Sequence, residues 1–524
     1  MPAQLSVDER RARGKDARAR APRSIHAGWV PAAGRPSPVD LLESQEAARV
    51  PDLVPVRHGR MMVAPATFYR GAANIMAADL KETPSAGLDV QLCGDAHLLN
   101  FGVFGSPERR LVFDLNDFDE TLPGPFEYDV KRMAASFEIA GRDNGLTAAD
   151  ARTATLTSVT AYQDAMAEFA QLSTMEVWYA SLDEDRIKRA IAAIAAETAD
   201  KANSAKKKHG KAREQARLAK LAAKRVDRAS TKAHRRDSLQ ALSKLGELAD
   251  GRYRIVSQPP VVIPLRDLPS GLSPDQTEQL IRDQFDAYRA TLQPDLRQLL
   301  ERFEVVDAAL KVVGVGSVGT RAFIVLLRGR DEHDPLFLQI KEATASVLEE
   351  HLPKSRYRQH GQRVVQGQRM MQAASDIYLG WTRGLDTSRH YYWRQLRDMK
   401  GSVVLEEMTP LGFALYARLC GWTLARAHAR SGDPVAITAY LGANATFARS
   451  ITDFAARYAN QNALDYQEFA AAIKSGRLTA AEGILGAPAL ATPCRPGGLY
   501  RDGHRPSAQR RGPRSAAGPR PRPR

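Results

Sequence analysis

Apolar positions cluster in short blocks whose spacing changes along the chain. Between residues 88 and 120 the apolar runs DVQLC and RRLVFDL are separated by a polar, glycine-containing loop, which predicts strand, loop, strand. Residues 39–80 mix short helical patterns with a loop, and residues 126–250 are Ala-rich and predict helix throughout. Residues 308–328 switch to β-branched runs around glycines, and a second apolar run, PLFLQIK, ends in a lysine; together they predict a small antiparallel sheet. Helical patterns return at 342–380 and 409–430, with a strand pattern at 389–407 between. The pattern divides the chain into an extended basic arm (1–38), a helical part with a basic insert near 200–236 (39–298), a β part (300–405), further helices (406–487) and an Arg/Pro-rich tail expected to be disordered (488–524).

Composition narrows the function classes. A chain of 524 residues, 44% hydrophobic, is long enough to bury a large core. Its three cysteines, Cys93, Cys420 and Cys494, fit neither a disulfide framework nor a four-thiolate zinc site, which makes the cytoplasm the expected location. No run reaches the roughly 18–20 apolar residues that span a bilayer, so a membrane partner is not expected. The net charge of +15 is unevenly placed: residues 1–24, 201–236 and 494–524 carry +4, +12 and +8, which leaves −9 for the remainder. An acidic bulk with basic appendages does not predict a specific nucleic-acid partner.

Two constellations carry candidate chemistry. The loop Gly94-Asp95-Ala96-His97-Leu98-Leu99-Asn100 sets an acid and an amide five residues apart, and a strand ending at Asp114 is followed by Asp117, Asp119 and Glu120. Phosphoryl transfer needs a carboxylate at the acceptor hydroxyl and hard oxygen ligands for magnesium, which Asn100 and Asp114 can supply. Acids that merely close turns are the bland alternative. The second constellation is Gly314-Val315-Gly316-Ser317-Val318-Gly319, a hairpin whose amides can approach phosphate, followed by Lys341 at the end of the next apolar strand. Glu342, Glu349 and Glu350 are candidate partners for that lysine.

GDAHLLN resembles the catalytic loop of aminoglycoside phosphotransferases and choline kinases, VFDLND resembles their metal-binding strand, and GPFEYDVKRMAAS resembles the helix start that follows, with Asp129 at its aspartate. GVGSVG, LQIK and SVVLEEM resemble the glycine loop, lysine strand and hinge of protein-kinase-like folds, and CGWTLARAHARSGD resembles the helix before their catalytic loop. Their order is rotated, as in a circular permutation. The chain as a whole resembles the bacterial family domain of unknown function 2252, through RHGRM, FYRGAA, VGVGSVGTR, RQLRDMKGS and the phrases above.

The resemblance implies a two-lobed α+β kinase-like fold with permuted order, ATP and Mg2+ as cofactors, and an unidentified hydroxyl acceptor, a small molecule before a protein. Asp95 would orient or deprotonate the acceptor. Asn100 and Asp114, with Asp117 as a further candidate, would ligate magnesium. Gly314, Gly316, Gly319 and Lys341 would hold the phosphates, Glu349 would pair with the lysine, and His97 would orient the loop through a hydrogen bond. Arg70 and Arg394 would contact substrate or phosphate, or pair with the acidic loop. AMP transfer on the same fold, a non-catalytic scaffold, and a metal-dependent hydrolase using Asp95, His97, Asp114 and Asp117 are the alternatives.

Overall fold

A computed structural model describes residues 5–190, 238–249, 252–268 and 273–481, except 313, 317, 385, 386, 397, 398 and 402, together with 192, 217, 224, 228 and 230–234. The helix Phe126–Asp143 forms the centre of the helical part; only Arg142 and Asp143 at its end are exposed. Helices Ala148–Phe169, Pro410–Ala429 and Thr446–Lys474 surround it and share one apolar core with it. Thr147 and Thr409 cap the first two by accepting hydrogen bonds from first-turn amides.

Four strands lead into the central helix: β1 (Asp89–Leu92), β2 (Phe101–Gly105), β3 (Leu111–Leu115) and β4 (Leu122–Pro125). β1 pairs with β4 and β2 with β3, both antiparallel, Leu92 opposite Leu122 and Phe101 opposite Leu115. Residues 93–100 and 116–121 therefore connect the same two ladders and lie side by side. A short strand β5 (Leu182–Asp183) extends the second ladder, and β6 (Gly246–Ala249) pairs with β7 (Arg252–Ile255). These strands interrupt the stretch 126–250 that reads as helical throughout, because two-residue and hairpin pairings leave little periodicity to detect.

The remaining strands, β8 (Val262–Pro264), β9 (Glu304–Lys311), β10 (Ala322–Arg328), β11 (Pro335–Ala343), β12 (Gly380–Arg383) and β13 (His390–Gln395), form one antiparallel sheet in the order β12-β13-β11-β10-β9-β8. Along β10 the side chains alternate between faces. Val325 and Leu327 pack with Phe285, Tyr288 and Trp393, while Ile324 and Leu326 pack with Leu242 and Phe337. Helix His360–Met371 lies between β11 and β12 in the chain. Ala343 and Tyr392 of this sheet join the helical core, and residues 1–487 form one compact unit.

The arm does not extend freely. Helix Val7–Arg20 is closed at its start by a reciprocal Ser6–Glu9 capping box, and Gly14 and Ala17 are buried against helix Pro434–Leu441. Small residues give a close helix contact without a hydropathy signal, so an Arg-rich segment packs through its Gly/Ala face. Trp29 then stacks edge-on against Phe454. The basic insert falls almost wholly outside the described residues, and the tail 488–524 entirely so. Among the described residues no helix is long and apolar enough to cross a membrane.

Candidate active site

The loop 93–100 is gripped from below by the central helix. Asp129 accepts hydrogen bonds from the amides of Cys93 (2.7 Å) and Gly94 (3.0 Å), and His428 Nε2 lies 3.2 Å from its carboxylate. Ser136 Oγ accepts from the Leu98 amide at 2.9 Å. Gly94 has φ +84°, and a Cβ there would lie 2.2 Å from the Glu120 carbonyl oxygen, so the turn requires glycine. Asn100 braces the loop against its neighbour: its amide donates to the carbonyls of Asp95 (3.0 Å) and Asp117 (2.9 Å), and its Oδ1 accepts from the Asp117 amide (2.7 Å).

Asp95 is thereby held at the surface of the loop, its side chain 24% exposed. Oδ1 accepts from Arg132 Nε at 2.8 Å, and Arg132 also donates to the Tyr69 carbonyl and lies over the Tyr69 ring. Oδ2 is 3.8 Å from His97 Nε2, too far for a hydrogen bond. Burial pushes His97 down to about 4, so the imidazole is neutral near pH 7, and its Nδ1 is buried without a partner.

Lys341 on β11 brings the second constellation to the first. Its Nζ donates to Asp119 Oδ2 at 2.6 Å and to Asp117 Oδ1 at 3.2 Å, and Tyr392, opposite it on β13, donates to Asp119 Oδ1 at 2.7 Å. Burial opposes the lysine's charge, but Asp117 and Asp119 outweigh it and raise its pKa; the same ammonium, with Arg394, overcomes burial to lower that of Asp117. Arg394 donates to Gln339 Oε1 (3.0 Å) and the Asn116 carbonyl (3.1 Å). It also borders a cavity of about 250 Å3, where its charge and burial push Lys400 down to about 7.

The glycine hairpin joins β9 to β10, whose Ala322 pairs with Lys341. Gly314 and Gly319 have φ +73° and +94°. The hairpin's carbonyls face the N-terminal segment: Gly314 accepts from Arg60, Gly316 from Arg49 (2.9 Å), and Gly319 from the Val50 amide (2.8 Å).

The sequence profile of DUF2252, uncharacterized protein conserved in bacteria, matches residues 49–227 and 214–472. The chain belongs to this family. Every residue of the DUF2252 site, from Arg49 to His428, lies inside the matched span. No curated protein and no solved structure matches the chain.

Two expectations for this DUF2252 site are corrected by the geometry. Asp114 is fully buried, its Oδ1 accepting from Arg426 and the Leu115 amide and its Oδ2 from the Ala373 amide, so it is a structural ion pair with no oxygen turned to the cleft. Asp117, three residues on and past the end of β3, is by contrast partly exposed. Glu349 accepts from the Ser346 amide and lies 3.7 Å from Arg363, so the partners of Lys341 are Asp117 and Asp119 instead. Tyr392, Arg49 and Arg60 are neighbours of the candidate site that sequence reasoning missed, and Asp119, named there only as part of the acidic run, is paired with Lys341. Only cross-strand register and tertiary packing bring them in.

Asp117 (42% exposed) and Asp119 (28%) offer hard carboxylate oxygens beside the cleft. That donor set fits a magnesium-sized cation held by one or two carboxylates, with water and phosphate oxygens completing its shell. Asn100 Oδ1 already accepts one hydrogen bond and serves the loop first. Among the described residues no group of three or more His, Cys, Asp or Glu forms a metal cage.

Proposed function

We propose that this chain binds Mg–ATP and transfers its γ-phosphoryl group to a hydroxyl-bearing acceptor, a small molecule before a protein. The observation that carries the reading is the buried Lys341 ammonium set against Asp117 and Asp119 across more than two hundred residues of chain. A lysine on the second strand after the glycine hairpin, facing a carboxylate just past β3, is the charge arrangement that phosphoryl transfer uses. Asp117 and Asp119 hold the cation, which when bound neutralises charge on the phosphates. Lys341 takes the phosphate oxygens, and Asp95, with Oδ1 tied to Arg132, offers Oδ2 to the acceptor proton. The acceptor oxygen attacks the γ-phosphorus, the bond to the β-phosphate oxygen breaks, ADP leaves and the acceptor proton passes to Asp95.

The permuted order has its own support. Ser431, just past helix Pro410–Ala429, accepts from the Gln91 amide at 2.9 Å, and a Cβ on Gly432 would lie 3.4 Å from the Asp89 carbonyl. The helix end thus abuts β1, so joining residue 432 to residue 89 would restore hairpin, lysine, helix and catalytic loop in the order of a kinase. The small-molecule preference rests on the likeness of GDAHLLN to antibiotic and choline kinases.

Isothermal titration with Mg–ATP tests the reading. Saturable binding in the wild type, lost by at least about tenfold in Asp117→Ala and Lys341→Ala with their melting checked, is the expected result. A folded wild type that binds neither ATP nor GTP would overturn it.

A further inference from the structure

Four arginines surround the strip between the glycine hairpin and the loop 93–100, and three of them are committed. Arg132 holds Asp95, Arg49 holds the Gly316 and Val318 carbonyls, and Arg60 holds the Gly314 carbonyl. Arg70, at the end of helix Pro65–Gly71, makes no hydrogen bond and no ion pair with any described residue, and its Nε is buried without a partner.

Its position is fixed from two sides. The Arg70 carbonyl oxygen lies 3.1 Å from where a Cβ on Gly316 would be, so the residue sits against the hairpin tip. The carboxylate whose charge bears on its guanidinium is Asp95, and that guanidinium in turn acts on His97. Arg70 therefore stands between the loop that would cover the phosphates and the acid that would face the acceptor.

A buried guanidinium donor without an acceptor is costly, and a tetrahedral oxyanion with several acceptor oxygens satisfies it. We propose that Arg70 contacts the terminal phosphate of the bound nucleotide and follows it during transfer, an assignment that rests on the nucleotide reading above. The three committed arginines have other duties: Arg132 fixes Asp95, while Arg49 and Arg60 hold the hairpin in place. Arg49 Nε and Arg60 Nε and Nη2 are also buried without partners, but Arg70 alone of the four makes no hydrogen bond with any described residue, and the N-terminal helices deliver it to the site from within the same chain.

The test is the ratio of Mg–ATP to Mg–ADP affinity, by isothermal titration, for the wild type, Arg70→Ala and Arg70→Lys. Loss of a charge-assisted contact to the terminal phosphate predicts that Arg70→Ala binds ADP as the wild type does but loses ATP affinity about tenfold to a hundredfold. Arg70→Lys should recover part of that loss. An unchanged ratio, or equal losses for both nucleotides, would overturn the assignment while leaving the nucleotide site standing. A wild type that binds neither nucleotide would overturn the underlying reading and the assignment with it. Should Arg70→Ala melt below the assay temperature, the ratio measured on Arg70→Lys decides alone, with no change in it counting against the assignment.

Discussion

The loop 93–100, which joins two ladders, and the glycine hairpin, which joins two strands of one sheet, both use glycines at positive φ, yet they are held in opposite ways. The loop 93–100 is gripped by its amides: Asp129 and Ser136 rise from a helix with almost no exposed surface, and Asn100 ties the loop to residue 117. The glycine hairpin is gripped by its carbonyls, through the Arg49 and Arg60 guanidinium groups and the Val50 amide of a segment far upstream. On the proposed function, the loop that would present an acid at a fixed angle is built into the core, and the loop that would open for a nucleotide is held largely by long side chains that can let go. Fully satisfied buried anchors are the costlier kind to break.

That contrast predicts unequal costs. Asp129→Ala removes the acceptor of two buried amides and of His428 at once, and should lower unfolding stability by about 3–5 kcal/mol. Arg60→Ala removes one guanidinium–carbonyl bond and should cost about 1–2 kcal/mol. Urea unfolding of both variants checks the pair. Equal losses would mean that the hairpin is as deeply anchored as the catalytic loop.

Asp114 and Asp117 sharpen the comparison within three residues. Asp114→Asn leaves Arg426 buried against a neutral amide and should cost about 3 kcal/mol, while the folded fraction keeps its nucleotide affinity. Asp117→Asn touches a carboxylate 42% exposed and leaves Lys341 paired with Asp119, so stability should change by about 1 kcal/mol or less. Its Mg–ATP binding should disappear. Unfolding curves set beside titrations read both halves, and a reversed pattern would return the metal to Asp114.

Why sequence alone chose Asp114 is plain from the strand. All five residues of β3 are buried, so alternation gives no outward face, and the acid inside it must find its partner in Arg426, 312 residues away. Glu349 is chosen for similar reasons: local reading seeks an acid after the lysine, whereas the partners are Asp117 and Asp119, the latter held by Tyr392 across the β11–β13 ladder. What was legible was local. The strands β1, β3, β9, β10 and β11, the glycine hairpin and the lysine at its strand end follow from short apolar runs and their punctuation, whereas β2 falls in the stretch that reads as a loop. The packing of helix Val7–Arg20 was not legible, since Gly14 and Ala17 bury a face without adding hydrophobicity.

Glu120 joins the two regions, and its predicted effect depends on pH. Its carbonyl lies over Gly94 and accepts from Ser346 Oγ at 2.8 Å, and its Oε2 accepts from the Val347 amide at 2.7 Å, just beyond the lysine strand. Burial raises its carboxyl to about 7, against the opposing pull of Arg363 and the Val347 amide. Between its ordinary value near 4.5 and about 7 the folded chain holds more protons than the unfolded one. Its contribution to stability is therefore complete below that window and is lost as pH rises through it. Glu127 is also raised to about 7, so the difference between the wild type and Glu120→Gln, rather than the wild-type curve, reads Glu120. Glu120→Gln should match the wild type near pH 4 and gain up to about 3 kcal/mol relative to it near pH 8, by urea unfolding across that range. Parallel curves at every pH would mean that the carboxyl is solvated, and that the contact between the catalytic loop and the lysine strand does not depend on its charge.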